Sequence, residues 1–412
     1  MATKNKKQVP KSAAEHTAFH YGFDLVEIKD SVHAGKKEEI YEEEKLKLLK
    51  FYTKEHDLKR DVPKRMMFYN KALLHDKGTK KKRSGFGLDI IGVDTGLAEG
   101  LVIQTAVAIL KDEGYKDLSV EINAIGDKES VKKFEKELIT YYKKNNEKLK
   151  TADQKKVAPG KAVDLFCSDK AHLSDVNRDA PKPIYFLNDE SSKHFKEVLE
   201  FLEEVDVPYA INDCLTGNKN YFSKVIFLIK GRAPKEKTIK VIGRGGRYDE
   251  LASDVTRKRK ISAVGLTLDF KAKEKAPEND EHAVSLHLIK IGFNARLKSL
   301  QLMDVVRKIG APIGHSIDET KISNQIQHAV NNNATHALII GHKEATENKV
   351  LVRDLETFSQ EEVLVSELPK YARKLFRQAA KQQAPKKKAS TKKTTAPKKK
   401  AATKAKNNKT KK

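Results

Sequence analysis

Hydrophobic periodicity divides the chain into two rhythms. In the first, residues 13–21 read as a helix and 23–28 as a short alternating strand. Residues 36–55 follow as a highly charged helix with Ile40, Leu46, Leu48, Leu49 and Phe51 at helical spacing. Strand patterns come at 65–69, 87–93 and 118–124, with a strongly apolar helix at 100–113 and a surface helix at 130–150. The polar stretch 151–160 holds a Pro-Gly step and predicts a loop or insert. Residues 191–205 predict an amphipathic helix with Phe195, Val198, Leu199 and Leu202 on one face. Further strands are expected at 209–212, 221–229, 238–242 and 263–268. Many strands broken by occasional helices predict an α+β domain, an antiparallel sheet flanked by helices, and not a regular βαβ winding.

The second rhythm begins after residues 271–282, which are charged, poor in apolar residues and carry Pro277. That stretch reads as a domain linker. Beyond it, strands at 283–291, 312–315, 336–340, 350–354 and 362–365 are interleaved with helices at 295–309, 320–333 and 368–382. The alternation predicts a small α/β domain of about 100 residues with a mostly parallel sheet. The expected organisation is a basic arm (1–12), a first domain (13–270), the linker (271–282), a second domain (283–380) and a tail (381–412).

Charge sharpens this picture. The net charge is +25, and residues 385–412 contain thirteen lysines and no acid, about half of that total. Such a tail cannot bury enough apolar surface to offset the entropy of ordering, so disorder is expected. The body is basic without it. Excess positive charge attracts polyanions, and nucleic acid is the leading partner class. Cys167 and Cys214 are distant in sequence and in no metal-ligating spacing; they read as ordinary buried thiols in a reducing compartment. No apolar run reaches the length of a membrane span, and the Lys-rich N-terminus lacks the apolar core of a secretory signal. A cytoplasmic protein with no membrane partner and no metal is expected.

Five motifs then narrow the reading. They are His20-Tyr21-Gly22-Phe23; Gly85-Phe86-Gly87-Leu88-Asp89-Ile90-Ile91-Gly92; Glu121-Ile122-Asn123-Ala124-Ile125-Gly126; Gly243-Arg244-Gly245-Gly246-Arg247-Tyr248-Asp249-Glu250-Leu251 with Ala263-Val264-Gly265; and Leu338-Ile339-Ile340-Gly341 with Val350-Leu351-Val352-Arg353-Asp354-Leu355-Glu356-Thr357. In order and spacing they resemble histidyl-tRNA synthetases over nearly the whole length before the tail. The second motif is similar to the strand closing class II motif 2, usually His-Gln-Phe-Gly-Val-Glu. The resemblance implies a class II aminoacyl-tRNA-synthetase-like domain followed by an anticodon-binding-like domain. It also implies a homodimer through the motif 1 helix and strand, which correspond to residues 13–28.

The same resemblance exposes a deficit. Forming an aminoacyl-adenylate brings a carboxylate against the α-phosphate of ATP, and fixed arginines are needed to hold the charge that builds there. The family's motif 2 Arg falls on Lys71 and its companion Glu on Leu73. The motif 3 Arg falls on Ala272, and the Arg of the histidine-specific segment on Gly217. No match to the family's Thr-Arg-Pro-Glu-Gly-Thr strand lies between Ser31 and Pro63. Losing one fixed cation costs on the order of a hundredfold in rate, so losing three implies no adenylation. Arg65 and Arg83 are the nearest substitutes at motif 2. On this reading no cofactor is used; ATP and Mg enter only if ligase activity is retained.

Arg247, Tyr248 and Tyr221 resemble residues of the family's histidine pocket, although Arg247 equally suits a buried ion pair with Asp249 or Asp89, and the tyrosines packed rings. Gly243-Arg244-Gly245-Gly246 is placed before a turn and is not read as a nucleotide loop, because no Lys-Ser/Thr helix start follows. His20 reads as a helix-face residue. Two basic clusters, Lys77, Lys80, Lys81, Lys82 and Arg83, and Arg257, Lys258, Arg259 and Lys260, suit contacts to a phosphate backbone. The expected function is therefore a synthetase-like protein that binds tRNA or another nucleic acid without adenylation. The alternatives are an active histidine–tRNA ligase, a histidine-sensing regulatory subunit, and a scaffold whose tail alone binds nucleic acid.

Overall fold

The computed structural model describes residues 10–27, 37–56, 58, 62–73, 83–217, 221–257, 260–270, 284–310 and 313–383. Ala272, Lys77, Lys80, Lys81, Lys82, Lys258 and Arg259 lie outside them, as do the expected linker and nearly all of the tail.

The first domain runs α1 (Ala13–His20), β1 (Asp24–Leu25), α2 (Lys37–Glu55), β2 (Arg65–Leu73), β3 (Arg83–Ile91), α3 (Leu97–Asp112), β4 (Lys116–Gly126) and α4 (Lys128–Lys144). Three short helices, α5 (Thr151–Gln154), α6 (Ala162–Phe166) and α7 (Ser174–Arg178), precede α8 (Asp189–Glu204), β5 (Tyr209–Ile211), β6 (Ser223–Arg232), β7 (Lys240–Arg247), α9 (Asp249–Thr256) and β8 (Ala263–Asp269). The eight strands form one sheet in the order β1-β2-β3-β8-β7-β6-β4-β5. Its five inner pairings are antiparallel, and a parallel pair closes each edge.

Strand alternation builds two cores, one on each face. Along β3, Leu88 and Ile90 enter the larger core with α1, α3 and α8, while Ile91 enters a second one beneath α2 and α9. Helix α3 is buried almost all round, as its near-continuous apolar sequence requires. Helices α4 and α8 start where the side chains of Asp127 and Asn188 accept from the amides of Ser130 and Ser191, each at 2.8 Å. The region expected as a loop or insert at 151–160 opens a helical unit with its own core, built on Phe134, Leu138, Leu165, Phe166 and Leu173.

The second domain comprises β9 (Leu286–Lys290), α10 (Phe293–Ile309), β10 (Ile313–His315), α11 (Ile322–Asn331), β11 (His336–Ile340), α12 (His342–Glu347), β12 (Lys349–Asp354), β13 (Gln360–Leu364) and α13 (Leu368–Gln383). Its sheet order is β10-β9-β11-β12-β13. The expected mostly parallel sheet is corrected: β10, β9 and β11 are mutually parallel, but β12 and β13 are antiparallel. A parallel crossover needs about a dozen residues or more, and the short connections at 341–348 and 355–359 do not supply them.

The domains share a packed boundary. Gln104 Nε2 donates to the Leu300 carbonyl at 2.7 Å, and Arg307 Nη1 holds both oxygens of Asp112 at 3.0 and 2.9 Å. Among the described residues no helix is long and apolar enough to cross a membrane. The cysteines depart from expectation: Cys214 is exposed, Cys167 is half-buried, and the two meet.

Candidate functional site

A row of opposed residues crosses the centre of the large sheet. Met67 faces Asp89, Asp89 faces Gly265, and Gly265 faces Gly246. The absent side chain at Gly265 makes room for its neighbour: a Cβ there would lie 1.8 Å from Asp89 Oδ1 and 2.7 Å from Lys45 Nζ. Lys45 reaches this place from α2. Its ammonium donates to both Asp89 oxygens, at 2.7 and 2.6 Å, and to the Tyr69 hydroxyl at 3.1 Å. Tyr248 donates to Asp89 Oδ1 at 2.7 Å. The Lys45 ammonium also lies 5.5 Å and 5.8 Å from the ring centres of Tyr69 and Tyr248, within cation–π range. All four side chains are buried. Burial pushes the Asp89 carboxyl up to about 6, and the Lys45 ammonium and Tyr248 hydroxyl limit the rise.

Tyr221 completes the wall. It is buried, stacks on Tyr248 at 5.9 Å and meets Phe222 edge-on at 4.5 Å. Tyr221 and Tyr248 are thus brought together, as residues of one pocket would be, but Lys45 and Asp89 fill the space beside them.

Arg247 points the other way. It ends β7 opposite Val264, on the α3 side of the sheet, and is fully buried. Its Nε and Nη2 hold the two oxygens of Glu99 at 2.7 Å each, and Nη1 donates to the Val93 carbonyl at 3.1 Å. Asp249 stands 3.5 Å off, and His194 adds a 2.7 Å contact to Glu99. Burial opposes ionisation of Glu99, yet Arg247 and His194 outweigh it and hold the carboxyl well below its usual range. The principal partner of Arg247 is therefore Glu99; of the two carboxylates expected from sequence, Asp249 is a second, longer partner and Asp89 pairs with Lys45 instead.

The remaining sequence-derived positions are scattered. Lys71 and Leu73 lie near the far end of β2, opposite Gly85 and Arg83 on β3. Gly217 is exposed with φ of +58°, and a Cβ there would lie 2.5 Å from Ile226 Cδ1. Arg257, in the left-handed region at φ 56°, ends α9, and it and Lys260 are exposed. Gly243-Arg244-Gly245-Gly246, expected before a turn, lies inside β7, where its small residues admit Phe227 and Phe222.

Lys45, Tyr69 and Glu99 were not singled out by sequence. One signal was present: Lys45, Leu48, Leu49 and Tyr52 follow the i, i+3, i+4, i+7 stripe of a buried helix face, and all four are buried.

Two sequence-family profiles match the chain. The anticodon binding domain profile matches residues 291–375. The profile described as histidyl-tRNA synthetase matches residues 53–272, more than half of the chain. The chain belongs to the histidyl-tRNA synthetase family. Among curated members, a histidine–tRNA ligase of Fervidobacterium nodosum is 29% identical over 290 residues, covering 69% of this chain and 68% of that protein. One from Thermosipho melanesiensis is 27% identical over 312 residues, 73% of each chain. The solved apo histidyl-tRNA synthetase of S. aureus aligns with 90% of this chain and 99% of that one, at 17% identity and a TM-score of 0.47. Within this histidyl-tRNA synthetase-family chain, the Lys45–Asp89 pair lies at the junction of β3 and β8, the two strands whose motifs carry the resemblance.

Proposed function

We propose that this histidyl-tRNA synthetase-like protein does not adenylate histidine and acts by binding tRNA or another nucleic acid. The observation that carries the reading is the Lys45 ammonium clamped on Asp89 beside Tyr248 and Tyr221. An internal cation already occupies the ground next to the tyrosines that resemble pocket residues. An entering amino acid would have to displace a buried ion pair, which costs several kcal/mol.

The sequence deficit points the same way. Lys71, Leu73, Gly217 and Ala272 stand where the family pattern has three arginines and a glutamate. A phosphate-bearing transition state without guanidinium partners loses its main electrostatic support. On this reading the chain uses neither ATP nor Mg. Affinity for RNA comes from the basic clusters at 77–83 and 257–260 and from the lysine-rich tail. A homodimer in the cytoplasm is part of the same proposal, on the resemblance of residues 13–28 to the family's dimer segment.

The second reading is an active ligase, and the names of the curated relatives favour it. Histidine-dependent ATP–pyrophosphate exchange separates the two. No exchange is expected from the purified full chain; exchange that requires histidine overturns the proposal. Nucleic-acid binding is read by tRNA titration at several salt concentrations. Salt-sensitive binding that persists after removal of residues 385–412 supports a body interface, and complete loss leaves only the tail. Calorimetry with free histidine tests the sensing alternative.

A further inference from the structure

We propose that Cys167 and Cys214 form a peroxide-oxidisable dithiol, a reversible disulfide site on the first domain. The inference is independent of whether the chain adenylates.

The two residues are 47 apart in sequence and on different units. Cys167 ends α6 in the inserted helical unit, its amide bound to the Val163 carbonyl at 2.9 Å. Cys214 sits in the turn after β5. That turn is held from β4, where Asn123 Nδ2 donates to the carbonyls of Asp213 and Leu215 at 3.3 and 3.1 Å. Both ends are therefore anchored, and each sulfur reaches the backbone of the other's segment. Cys167 Sγ donates to the Cys214 carbonyl at 3.5 Å, and Cys214 Sγ donates to the Phe166 carbonyl at 3.9 Å.

Access is provided as well. Both cysteines line an open cavity of about 600 Å³ with Asp169, Lys170, Arg178 and Lys182. Cys214 is exposed and Cys167 half-buried, so an oxidant meets Cys214 first. Charge and bonding assign the roles. The neighbouring Cys167 thiol favours the Cys214 thiolate and lowers its pKa against burial, Asp213 and Asp169; the same neighbour and burial push Cys167 up. Lys182, 3.0 Å from Asp213, offsets part of that negative charge. Among the described residues no group of three or more His, Cys, Asp or Glu suits a metal.

The step balances with a hydroperoxide as oxidant. The Cys214 thiolate attacks the peroxide, the O–O bond breaks, and the departing oxygen takes a proton, leaving a sulfenic acid at Cys214. The Cys167 sulfur then gives up its proton and attacks the sulfenic sulfur; hydroxide leaves, takes that proton as water, and the S–S bond forms. Two thiols lose two electrons and one peroxide is reduced. A small dithiol reverses the change. The disulfide would tie the inserted unit to the turn that leads through Gly217 to Tyr221.

The test uses the reduced full-length chain, treated with hydrogen peroxide, alkylated and digested without reductant for mass spectrometry. The expected product is one intramolecular Cys167–Cys214 peptide pair, lighter by two hydrogens and undone by dithiothreitol. Cys167→Ser is expected to stop at a dimedone-reactive sulfenic acid on Cys214. In Cys214→Ser, Cys167 is expected to react with peroxide at least about tenfold more slowly than Cys214 does in the parent. Phenylarsine oxide, which bridges paired thiols, is expected to bind once per folded chain and to lose that binding in either serine variant. The proposal fails if peroxide leaves both thiols open to alkylation, oxidises them separately, or links only different chains.

Discussion

Lys45 Nζ lies 2.7 and 2.6 Å from the two oxygens of Asp89, and both side chains are fully buried. One residue comes from a helix with many charges, the other from a central strand, 44 positions later. Removing either partner leaves a charge in a dry site. Lys45→Met is expected to destabilise the fold by about 3–5 kcal/mol, while Lys45→Met combined with Asp89→Asn recovers most of the loss. Urea unfolding at neutral pH measures both. The Asp89 carboxyl is raised to about 6 even with its partner present and is raised further without it, so the single variant's deficit should shrink as pH falls toward 6 and level off below. A double variant as unstable as the single would show that the pair is not the source.

Gly265 is the floor under that pair. A Cβ added there would lie 1.8 Å from Asp89 Oδ1, inside any tolerated contact. Gly265→Ala is expected to cost about 3 kcal/mol or more, through overpacking and a displaced ion pair. An unchanged melting temperature would mean that Asp89 does not occupy this position in solution.

On the opposite face Arg247 and Glu99 make two parallel hydrogen bonds of 2.7 Å. Arg247→Lys keeps the charge but not the fork, and is expected to cost about 2–4 kcal/mol; Glu99→Gln is expected to cost as much. Glu99 is held below its ordinary range, so its contribution is present at neutral pH and is lost only as pH falls toward the depressed value. Thermal unfolding at pH 7 checks the magnitude. If either variant melts with the parent, Arg247 is not structural.

The boundary between the domains predicts acid sensitivity. His20 and His315 meet across it and His287 lies behind them; His20 and His287 are buried and His315 half-buried, and desolvation first, then neighbouring positive groups, lower them to about 3, 4 and 3 in the order His20, His287, His315. His315 Nε2 donates to the Tyr21 carbonyl at 2.9 Å. Arg307 and His16 oppose a charge on His20 while Asp304 favours it, His328 and Lys290 lie against His287, and Lys290 opposes a charge on His315; Lys290 itself lies near Arg296, Lys64 and Asp318. An unfolded histidine takes a proton near 6.5. Between there and the folded values the unfolded chain holds more protons. Stability therefore falls as pH drops, by up to about 1.4 kcal/mol per pH unit for each histidine. Burial also lowers Lys290 to about 7, which adds a decline from its ordinary 10.5 down to that value. The urea midpoint should drop between pH 7 and 5, and less steeply in His315→Gln. Parallel pH curves for the two chains would sink the assignment to His315.

Much of this was legible in the chain itself. Periodicity marked α3, α8 and α10 and the strands of both domains, because a helix or strand must turn one stripe or face inward whatever it packs against. The missed helices, α5, α6, α7, α9 and α12, are four to eight residues long, too short to show a period. The order of five short motifs carried the family. It could not say what those motifs touch: Arg247 and Tyr248 are adjacent in sequence, yet strand alternation sends one to Glu99 and the other to Asp89.

Sequence by itself determined the sequence family, the two-domain rhythm and the basic charge. All are properties of composition or of residues close along the chain. Tertiary structure alone decided that Lys45 meets Asp89 and that Cys214 lies beside Cys167. A lysine in a charged helix reads as solvated, and two distant cysteines read as separate. Only folding chooses which buried charge meets which, because desolvation makes each ion depend on a partner that sequence distance does not reveal.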